Sequence, residues 1–167
     1  MNLDYTCLHT PIGPLHVAAG PRGLCALAFD DRWDDERAFV ARRFGDVGYQ
    51  PAPVAAAAAL TAYFEGDLTA IDTIEVDAGG TPFQQRVWTE LRHVPAGTSA
   101  SYLDIARAIG QPSATRAVGA ANGRNPVAIV VPCHRVIGAS GKLTGYGGGL
   151  DKKQWLLRHE RCPGFVM

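Results

Sequence analysis

The chain has 167 residues, of which 47% are hydrophobic and 19% charged, and its formal net charge at pH 7 is zero. This composition is typical of a globular protein with a hydrophobic core and excludes a disordered chain. The longest apolar runs, Val54–Leu60 and Val127–Val131, are far shorter than the roughly 20 residues that span a bilayer. Because Met1–Asp4 also lacks the pattern of a signal peptide, we expect a soluble, cytoplasmic protein, or a nuclear one if the source is eukaryotic.

The two halves of the chain carry opposite charge. Residues 1–80 contain five basic and twelve acidic side chains, a balance of −7, whereas residues 81–167 contain eleven basic and four acidic ones, a balance of +7. A basic half that faces nucleic acid, joined to an acidic half, would have this asymmetry. Chance segregation would produce it as well, so charge alone suggests a nucleic-acid partner without establishing one.

The first part of the chain predicts a β-rich unit that also contains helices. Prolines and glycines separate short runs of strand character, and acidic residues precede the first helical pattern. The predicted strands are Tyr5–Thr10, Leu15–Ala19, Leu24–Phe29 and Ile71–Val76, and the predicted helices are Asp34–Phe44 and Pro53–Phe64. Gly79–Pro82, where the charge balance changes sign, marks the predicted boundary between two domains, residues 1–80 and 81–167.

The second part of the chain is predicted to be mostly helical. A helix capped by Thr81 extends to about His93, with apolar residues four apart on one face. Next come a short helix, Tyr102–Ile109, and a second helix that Ser113 caps and that extends to about Asn122. Two short helices joined by a tight turn are the arrangement of a helix-turn-helix.

The second helix of this pair consists mostly of small residues, and Arg116 is its only charged residue. Small side chains let a helix backbone come close to another surface. That surface is either a neighbouring helix or a narrow groove of DNA, in which Arg116 could reach into the base stack.

The four cysteines include no Cys-x-x-Cys pair and have no zinc-ligand spacing, so we expect free thiols and no metal. Cys133 differs from the other three because it follows the apolar run Val127–Val131, a predicted buried strand, and precedes His134. A thiol is only a few per cent ionised at neutral pH, and a neighbouring imidazole can accept its proton. An isolated Cys-His pair is nevertheless more often an accident of sequence than a catalytic site.

The segment Asn125–Ile137 resembles the signature of the O6-alkylguanine-DNA alkyltransferases, also called methylated-DNA–protein-cysteine methyltransferases. The resemblance covers nearly all of residues 81–161 and is looser in the N-terminal part. Its other motifs are Phe83–Trp88, Ser101-Tyr102, Ala114–Gly123, Gly145–Leu150, Lys153–Glu160, Thr10–Leu15 and Ala62–Gly66. It implies an α/β (α+β) fold: a small ribonuclease-H-like sheet-plus-helix domain, followed by a mostly helical, winged-helix-like domain that contains the helix-turn-helix.

The resemblance also implies direct-reversal DNA repair without a cofactor. Members of this family bind duplex DNA from the minor groove, rotate the damaged nucleotide out of the helix and transfer its alkyl group irreversibly to a cysteine. The expected substrate is O6-alkylguanine, and O4-alkylthymine is a further candidate. The expected protein is a monomer in solution that acts once per molecule, and its binding to DNA is either independent or cooperative.

The family's site residues map onto this chain one by one. Cys133 is the implied acceptor, His134 takes its proton through a water, and Glu160 stabilises the imidazolium. Asn125 holds the turn before the active site, and Tyr102 donates to guanine N3. The implied substrate and DNA contacts are Arg116, which fills the gap left by the flipped nucleotide, Tyr146 and Gly147, which line the pocket, and Ser113, Ala114, Ala120, Asn122, Gly123 and Arg135.

Some features of the chain depart from the family pattern or leave alternatives open. Cys7 and Cys25 do not fall where some relatives bind zinc, and no cysteine-rich regulatory domain precedes the acidic half, which predicts a repair-only form. Where some relatives have a hydroxyl residue that contacts guanine O6, Gly147 offers only its backbone. One alternative is an alkyltransferase-like damage sensor, which the presence of Cys133 argues against. The other is a cysteine hydrolase, which only the pair Cys133-His134 suggests.

Overall fold

The computed structural model describes residues 1–147 and 149–165. Gly148, part of the motif Gly145–Leu150, and Val166 and Met167, at the end of the predicted second domain, lie outside the described residues. Contacts group the chain into two compact units, Met1–Gly79 with Pro126–Val130, and Gly80–Asn125 with the chain from Val131 onward. Within the described residues, no helix has the length and apolar character of a membrane span.

The first unit is built on a four-stranded sheet. Its strands are β1 (Asn2–Thr10), β2 (Gly13–Gly20), β3 (Gly23–Phe29) and β4 (Gly48–Pro51), in the spatial order β3-β2-β1-β4. Tight turns join β1, β2 and β3 as antiparallel neighbours, whereas β4 pairs in parallel with β1. Gly23 is needed in one of these turns because its φ is +136° and a Cβ atom there would lie 2.5 Å from the carbonyl oxygen of Glu75.

Two helices accompany the sheet. Helix α1 (Trp33–Phe44) has acidic residues in its first turn and basic residues in its last, which complements the helix dipole, and it ends at Gly45 with φ +77°. Its buried residues Trp33 and Val40 pack in one core cluster with the sheet residues Leu3, Ala18, Cys25, Ala26 and Ala28. Helix α2 (Ala56–Phe64) buries Leu60 and Tyr63.

The structure of this unit differs from the prediction at one predicted strand and at one strand that was missed. Ile71–Val76 is not a strand: backbone hydrogen bonds such as Asp72 N to Thr69 O close successive turns there, and only Val76 bridges to Leu24. Conversely, β4 was not predicted, because Gly48–Pro51 is short, polar and ends in proline. It forms because the preceding helix returns the chain to the edge of β1.

The second unit is mostly helical. Its elements are α3 (Pro82–Leu91), β5 (Ala100–Ser101), α4 (Tyr102–Ala108), α5 (Thr115–Gly123), a 3₁₀ turn at Cys133–Arg135, β6 (Val136–Ile137), which pairs in parallel with β5, and α6 (Leu150–His159). Thr81 and Ser101 form capping boxes at the starts of α3 and α4. The indole N–H of Trp88 donates to the carbonyl oxygen of Ala121 over 2.8 Å and so joins α3 to α5. The predicted class, a sheet-plus-helix unit followed by a mostly helical unit, is confirmed.

The predicted cap of α5 is wrong. Ser113 lies inside a turn closed by the bond from Ala114 N to Gln111 O, so the helix begins at Thr115, one residue later than predicted, with Ala114 as its N-cap. The predicted helix-turn-helix of α4 and α5 is present, with a longer connection than the sequence suggested.

The run Val127–Val131 is buried as predicted except at the half-buried Ala128, but it is not a strand. Val127 makes one bridge to Leu27. Ile129 then has φ +71°, and Val130 N donates to Ala128 O over 2.8 Å, which is the geometry of a classic γ-turn. A second tight turn follows, centred on Pro132, whose φ of −82° and ψ of 66° let Cys133 N donate to Val131 O. These turns, rather than a strand end, bring the chain to Cys133.

Candidate active site

Cys133 begins the 3₁₀ turn and is 7% exposed. Two asparagine side chains, one at the end of α5 and one just after this helix, donate hydrogen bonds to the backbone around Cys133. The side-chain amide of Asn125 donates to Val131 O over 2.7 Å, and that of Asn122 donates to Cys133 O over 3.4 Å. The position of the Cys133 thiol is therefore coupled to the C-terminal end of α5.

His134 follows Cys133 and is completely buried. Its Nε2 lies 2.8 Å from Glu160 Oε2. Burial lowers the pKa of His134 below its ordinary value, more than the attraction of Glu160 raises it. The imidazole is therefore neutral at pH 7: Nε2–H donates to the carboxylate, and Nδ1, which has no hydrogen-bond partner among the described residues, keeps a lone pair that can accept a proton.

Glu160, at the C-terminal end of α6, is buried and ionised. Burial alone would raise its pKa, but His134 and Arg135 hold the pKa of this carboxyl well below its usual range. Arg135 contributes a bidentate pair, with Nε 2.9 Å from Oε1 and Nη2 2.9 Å from Oε2. A buried carboxylate is tolerated when its oxygens are satisfied in this way.

The structure corrects the predicted DNA or substrate contact of Arg135. The residue is only 3% exposed, and its remaining guanidinium nitrogen, Nη1, donates to Val94 O over 2.7 Å. The side chain is used to hold Glu160 and has no surface to present to DNA. Asn122 is buried as well, and its side-chain amide donates to the carbonyl oxygen of Cys133.

Tyr102, Tyr146 and Gly147 belong to a second part of the site. Tyr102 is the first residue of α4, and its hydroxyl lies 2.8 Å from Thr144 Oγ1. Thr144 is on the long connection between β6 and α6, which also carries Tyr146 and the exposed Gly147. The phenol of Tyr102 is thus held against the segment predicted to line the pocket.

The remaining predicted DNA contacts lie on or just before α5. Ser113, Arg116, Ala120 and Gly123 are exposed and Ala114 is half-buried, whereas Val118 and Ala121 face the core. The spacing of the exposed residues follows the helical period, so they form one face with small side chains. Exposed Arg124 lies at the end of this face and was not predicted as a contact, although its spacing of eight from Arg116 could have indicated it.

The site contains the thiol, imidazole and carboxylate groups that nucleophilic catalysis uses. Cys133 contributes the thiol, His134 the neutral imidazole and Glu160 the ionised carboxylate. Among residues 1–147 and 149–165, no group of three or more His, Cys, Asp or Glu side chains is placed to hold a metal ion, and none of the four cysteines is in a disulfide.

Comparisons with known proteins cover nearly the whole chain. Residues 3–78 match the family described as "6-O-methylguanine DNA methyltransferase, ribonuclease-like domain", and residues 82–162 match its "DNA binding domain". The methylated-DNA–protein-cysteine methyltransferase of Salmonella typhimurium is 46% identical over 156 residues, which are 90% of this chain and 91% of that protein. The one from Mycolicibacterium paratuberculosis is 50% identical over 163 residues, or 95% of this chain and 93% of that protein.

Solved structures agree with these sequence matches. A crystal structure of Mycobacterium tuberculosis OGT in complex with DNA has a TM-score of 0.81 and 45% identity, and the match covers 96% of this chain and 93% of that one. A structure from the archaeon Pyrococcus kodakaraensis, an O6-methylguanine-DNA methyltransferase, has a TM-score of 0.66 and 27% identity over 95% of this chain and 98% of that one.

Proposed function

The chain belongs to the 6-O-methylguanine DNA methyltransferase family, the methylated-DNA–protein-cysteine methyltransferases of DNA repair, and we propose that Cys133 is the cysteine that accepts the alkyl group. The observation that carries the proposal is the buried pair of His134 and Glu160 directly after Cys133, with His134 Nδ1 left as an acceptor. A neutral imidazole whose other nitrogen is fixed by a carboxylate is the arrangement that activates a weak nucleophile.

The proposed reaction is one direct displacement. The Cys133 thiol gives its proton to His134 Nδ1, directly or through one water, and Glu160 stabilises the imidazolium. The thiolate sulfur attacks the alkyl carbon of O6-alkylguanine, so that an S–C bond forms as the C–O6 bond breaks and its electron pair goes to guanine. The base gains a proton in place of the alkyl group, and the stable thioether on Cys133 limits each molecule to one reaction.

Tyr102 is proposed to assist departure of the base. A hydrogen bond or proton donated by its hydroxyl to guanine N3 offsets the negative charge that develops on the leaving group. The contact between this hydroxyl and Thr144 Oγ1 supports the role, because it orients the phenol before the base arrives. Tyr146 and Gly147, on the same connection as Thr144, are proposed to line the base pocket.

DNA is proposed to bind the exposed face of α5 through its minor groove. Small residues on this face, Ser113, Ala114, Ala120 and Gly123, allow close approach of the backbone, and Arg116 fills the space of the flipped nucleotide. Flipping costs a few kcal/mol, and less for an alkylated base that pairs poorly. The balance of +7 in residues 81–167 supports this placement.

The two units are proposed to have different roles, one structural and one in DNA binding and chemistry. The residues proposed for chemistry and DNA contact all lie in the second unit, with Asn125 as the brace before the active-site turn, which leaves a structural role to the sheet unit. We extend the proposed substrates to O4-alkylthymine, and we propose that the protein acts as a monomer.

One incubation separates this function from its two alternatives. Duplex DNA that carries O6-methylguanine with a labelled methyl group is mixed with the protein. We expect the label to move to protein in one-to-one stoichiometry. Label that stays on bound DNA would indicate a damage sensor, and label that stays on unbound DNA would remove DNA alkyl transfer as the function.

A further inference from the structure

Lys153 is completely buried in the second unit, on α6. Its ammonium donates to Val136 O over 2.6 Å and to Thr144 O over 3.0 Å. Val136 comes directly after the 3₁₀ turn that carries Cys133, and Thr144 holds the hydroxyl of Tyr102. One side chain therefore connects the active-site turn to the segment that positions the proposed leaving-group donor.

Two carbonyl oxygens do not neutralise a buried ammonium, and lysine is almost never fully buried unless it is paired with a charge. Burial lowers the pKa of Lys153 to about 8, and among the residues that the structure describes, the charge of Cys133 opposes this shift. The other ionisable groups around the turn are His134 and Glu160. His134 is neutral, and Lys153 contributes to the lowering of its pKa. The carboxylate of Glu160 accepts hydrogen bonds from His134 and Arg135. The attraction between Lys153 and Cys133 is mutual, so whatever favours the ammonium also favours the thiolate.

We propose that Lys153 is a positioning residue for alkyl transfer: its ammonium is the counter-charge of the Cys133 thiolate, and its two hydrogen bonds hold the Thr144 segment, and through it Tyr102, against the active-site turn. The proposal rests on the proposed function for the role of Cys133 as acceptor. It has a further consequence, because alkylation converts the thiolate to a neutral thioether and leaves the Lys153 ammonium buried without its counter-charge.

The chain is well suited to a direct test, because its only lysines are Lys142, Lys152 and Lys153. With lysine labelled at ¹³Cε, NMR spectra between pH 6 and 11 follow each titration separately. In Cys133→Ser the neutral hydroxyl replaces the thiolate, and we expect the titration midpoint of Lys153 to fall by about 1 pH unit or more. The midpoints of Lys142 and Lys152 should not move, and Cys7→Ser should change none of the three. An unchanged Lys153 midpoint in Cys133→Ser would overturn the proposal.

A second measurement tests the interaction between Lys153 and Cys133 through the reactivity of the cysteine. The rate at which iodoacetamide labels Cys133, followed by the mass of its peptide, is measured against pH in the wild type and in Lys153→Met, Lys153→Arg and Lys152→Met. We expect Lys153→Met to slow labelling at pH 7 by about tenfold or more, because the loss of an opposite charge raises a thiol pKa by at least about 1 unit. Lys153→Arg should restore most of the rate, and Lys152→Met should match the wild type.

Equal rates of Cys133 labelling in the wild type and in Lys153→Met would contradict the charge pair. Thermal melts establish that each variant is folded. If Lys153→Met does not fold, the NMR titration of Cys133→Ser decides alone. Neither assay involves DNA. A wild type that transfers no methyl group from DNA would therefore contradict the proposed function and leave the Lys153 result standing, and the converse also holds.

Discussion

Glu160 is the buried carboxylate that His134 and Arg135 share next to Cys133. It accepts one hydrogen bond from His134 and two from Arg135, all within 2.9 Å. The two arginine bonds keep the carboxylate ionised and fixed, so the imidazole is held in the tautomer that leaves Nδ1 free to accept a proton. Removing one partner of such a buried pair typically costs about 3–5 kcal/mol of stability, because a charge is left uncompensated.

Tyr102→Phe tests whether the hydroxyl of Tyr102 assists departure of the base. The substitution keeps the ring and removes the hydroxyl that is proposed to donate to guanine N3. We expect the rate of transfer from DNA to fall by about a hundredfold, as for the loss of one positioned donor or general acid, with DNA affinity nearly unchanged. The measurement is single-turnover transfer from an O6-methylguanine duplex.

Thr144→Val is the matched control for that variant. It removes the side-chain partner of Tyr102 but keeps the carbonyl oxygen that accepts from Lys153. Transfer should be slowed less than in Tyr102→Phe. A Tyr102→Phe protein as fast as the wild type would remove Tyr102 from the reaction.

Candidate residues for chemistry could be proposed from the sequence, whereas the burial of their neighbours could not. Cys133 and His134 are adjacent in the chain, and the family motif adds Glu160 to the prediction. The buried positions of Arg135 and Asn122 could not be predicted, since the sequence does not indicate whether an arginine or asparagine near the helix proposed to bind DNA turns outward or inward. Lys153 gave no signal either, because the adjacent Lys152 has the same side chain in a less buried position.

At the scale of elements, α5 carries the proposed contact with DNA. Arg116→Ala should slow repair of O6-methylguanine in duplex DNA far more than transfer from free O6-benzylguanine, because only the duplex requires a nucleotide to be flipped. Arg124→Ala, on the same exposed face, is the matched control and should weaken DNA binding without a selective effect on flipping. Equal losses on both substrates in Arg116→Ala would contradict the flipping role.

Helix α1 contains a buried carboxyl group that makes stability depend on pH. Burial raises the pKa of Glu36 to about 7, and the attraction of Arg32 offsets this only in part. Because the folded state binds this proton more tightly than the unfolded state, the contribution is present below about pH 4.5 and is lost as pH rises toward 7. Glu36→Gln should therefore raise the melting temperature at pH 8 by several degrees and have little effect at pH 4.5.

Asp35→Asn is the control for Glu36→Gln, because Asp35 is the exposed neighbour on the same helix. It should show no such rise at pH 8. A Glu36→Gln protein whose melting temperature follows the wild type at every pH between 4 and 8 would mean that Glu36 does not titrate in the folded state.

Elements with local signals were predictable, and those that depend on distant partners were not. The hairpins of β1 to β3 and the capped helix α3 carry their turn and cap residues in their own sequence. By contrast, Val127–Val131 has the composition of a strand, but γ-turns reverse it after one bridge, at the cost of a left-handed φ at Ile129. Burial could be predicted from that composition, whereas the backbone path could not.

For the whole molecule, the proposed alkylation of Cys133 would change charge and volume at one buried point. Cys133 is packed, so an added methyl group is a small-to-large change that typically costs about 1–3 kcal/mol. A buried Lys153 that has lost its counter-charge would add to this cost. For a chain of this length, each kcal/mol lowers the melting temperature by roughly 2–4 °C.

We therefore expect the methylated protein to melt below the free protein, and the benzylated protein lower still. Thermal melts of the three forms at one pH and one salt concentration measure this. Cys133→Ser exposed to the same alkyl donors is the control and should show no shift. Melting temperatures that stay the same or rise on alkylation would contradict both the packing and the charge argument.

Peptide mapping after reaction with an O6-methylguanine duplex measures whether Cys133 itself accepts the alkyl group. We expect one methyl group, on the peptide that contains Cys133, in the wild type and in Cys162→Ser. Cys133→Ser should transfer nothing while it still binds the duplex with nearly wild-type affinity. A methyl group on Cys7, Cys25 or Cys162, or continued transfer by Cys133→Ser, would rule out Cys133 as the acceptor.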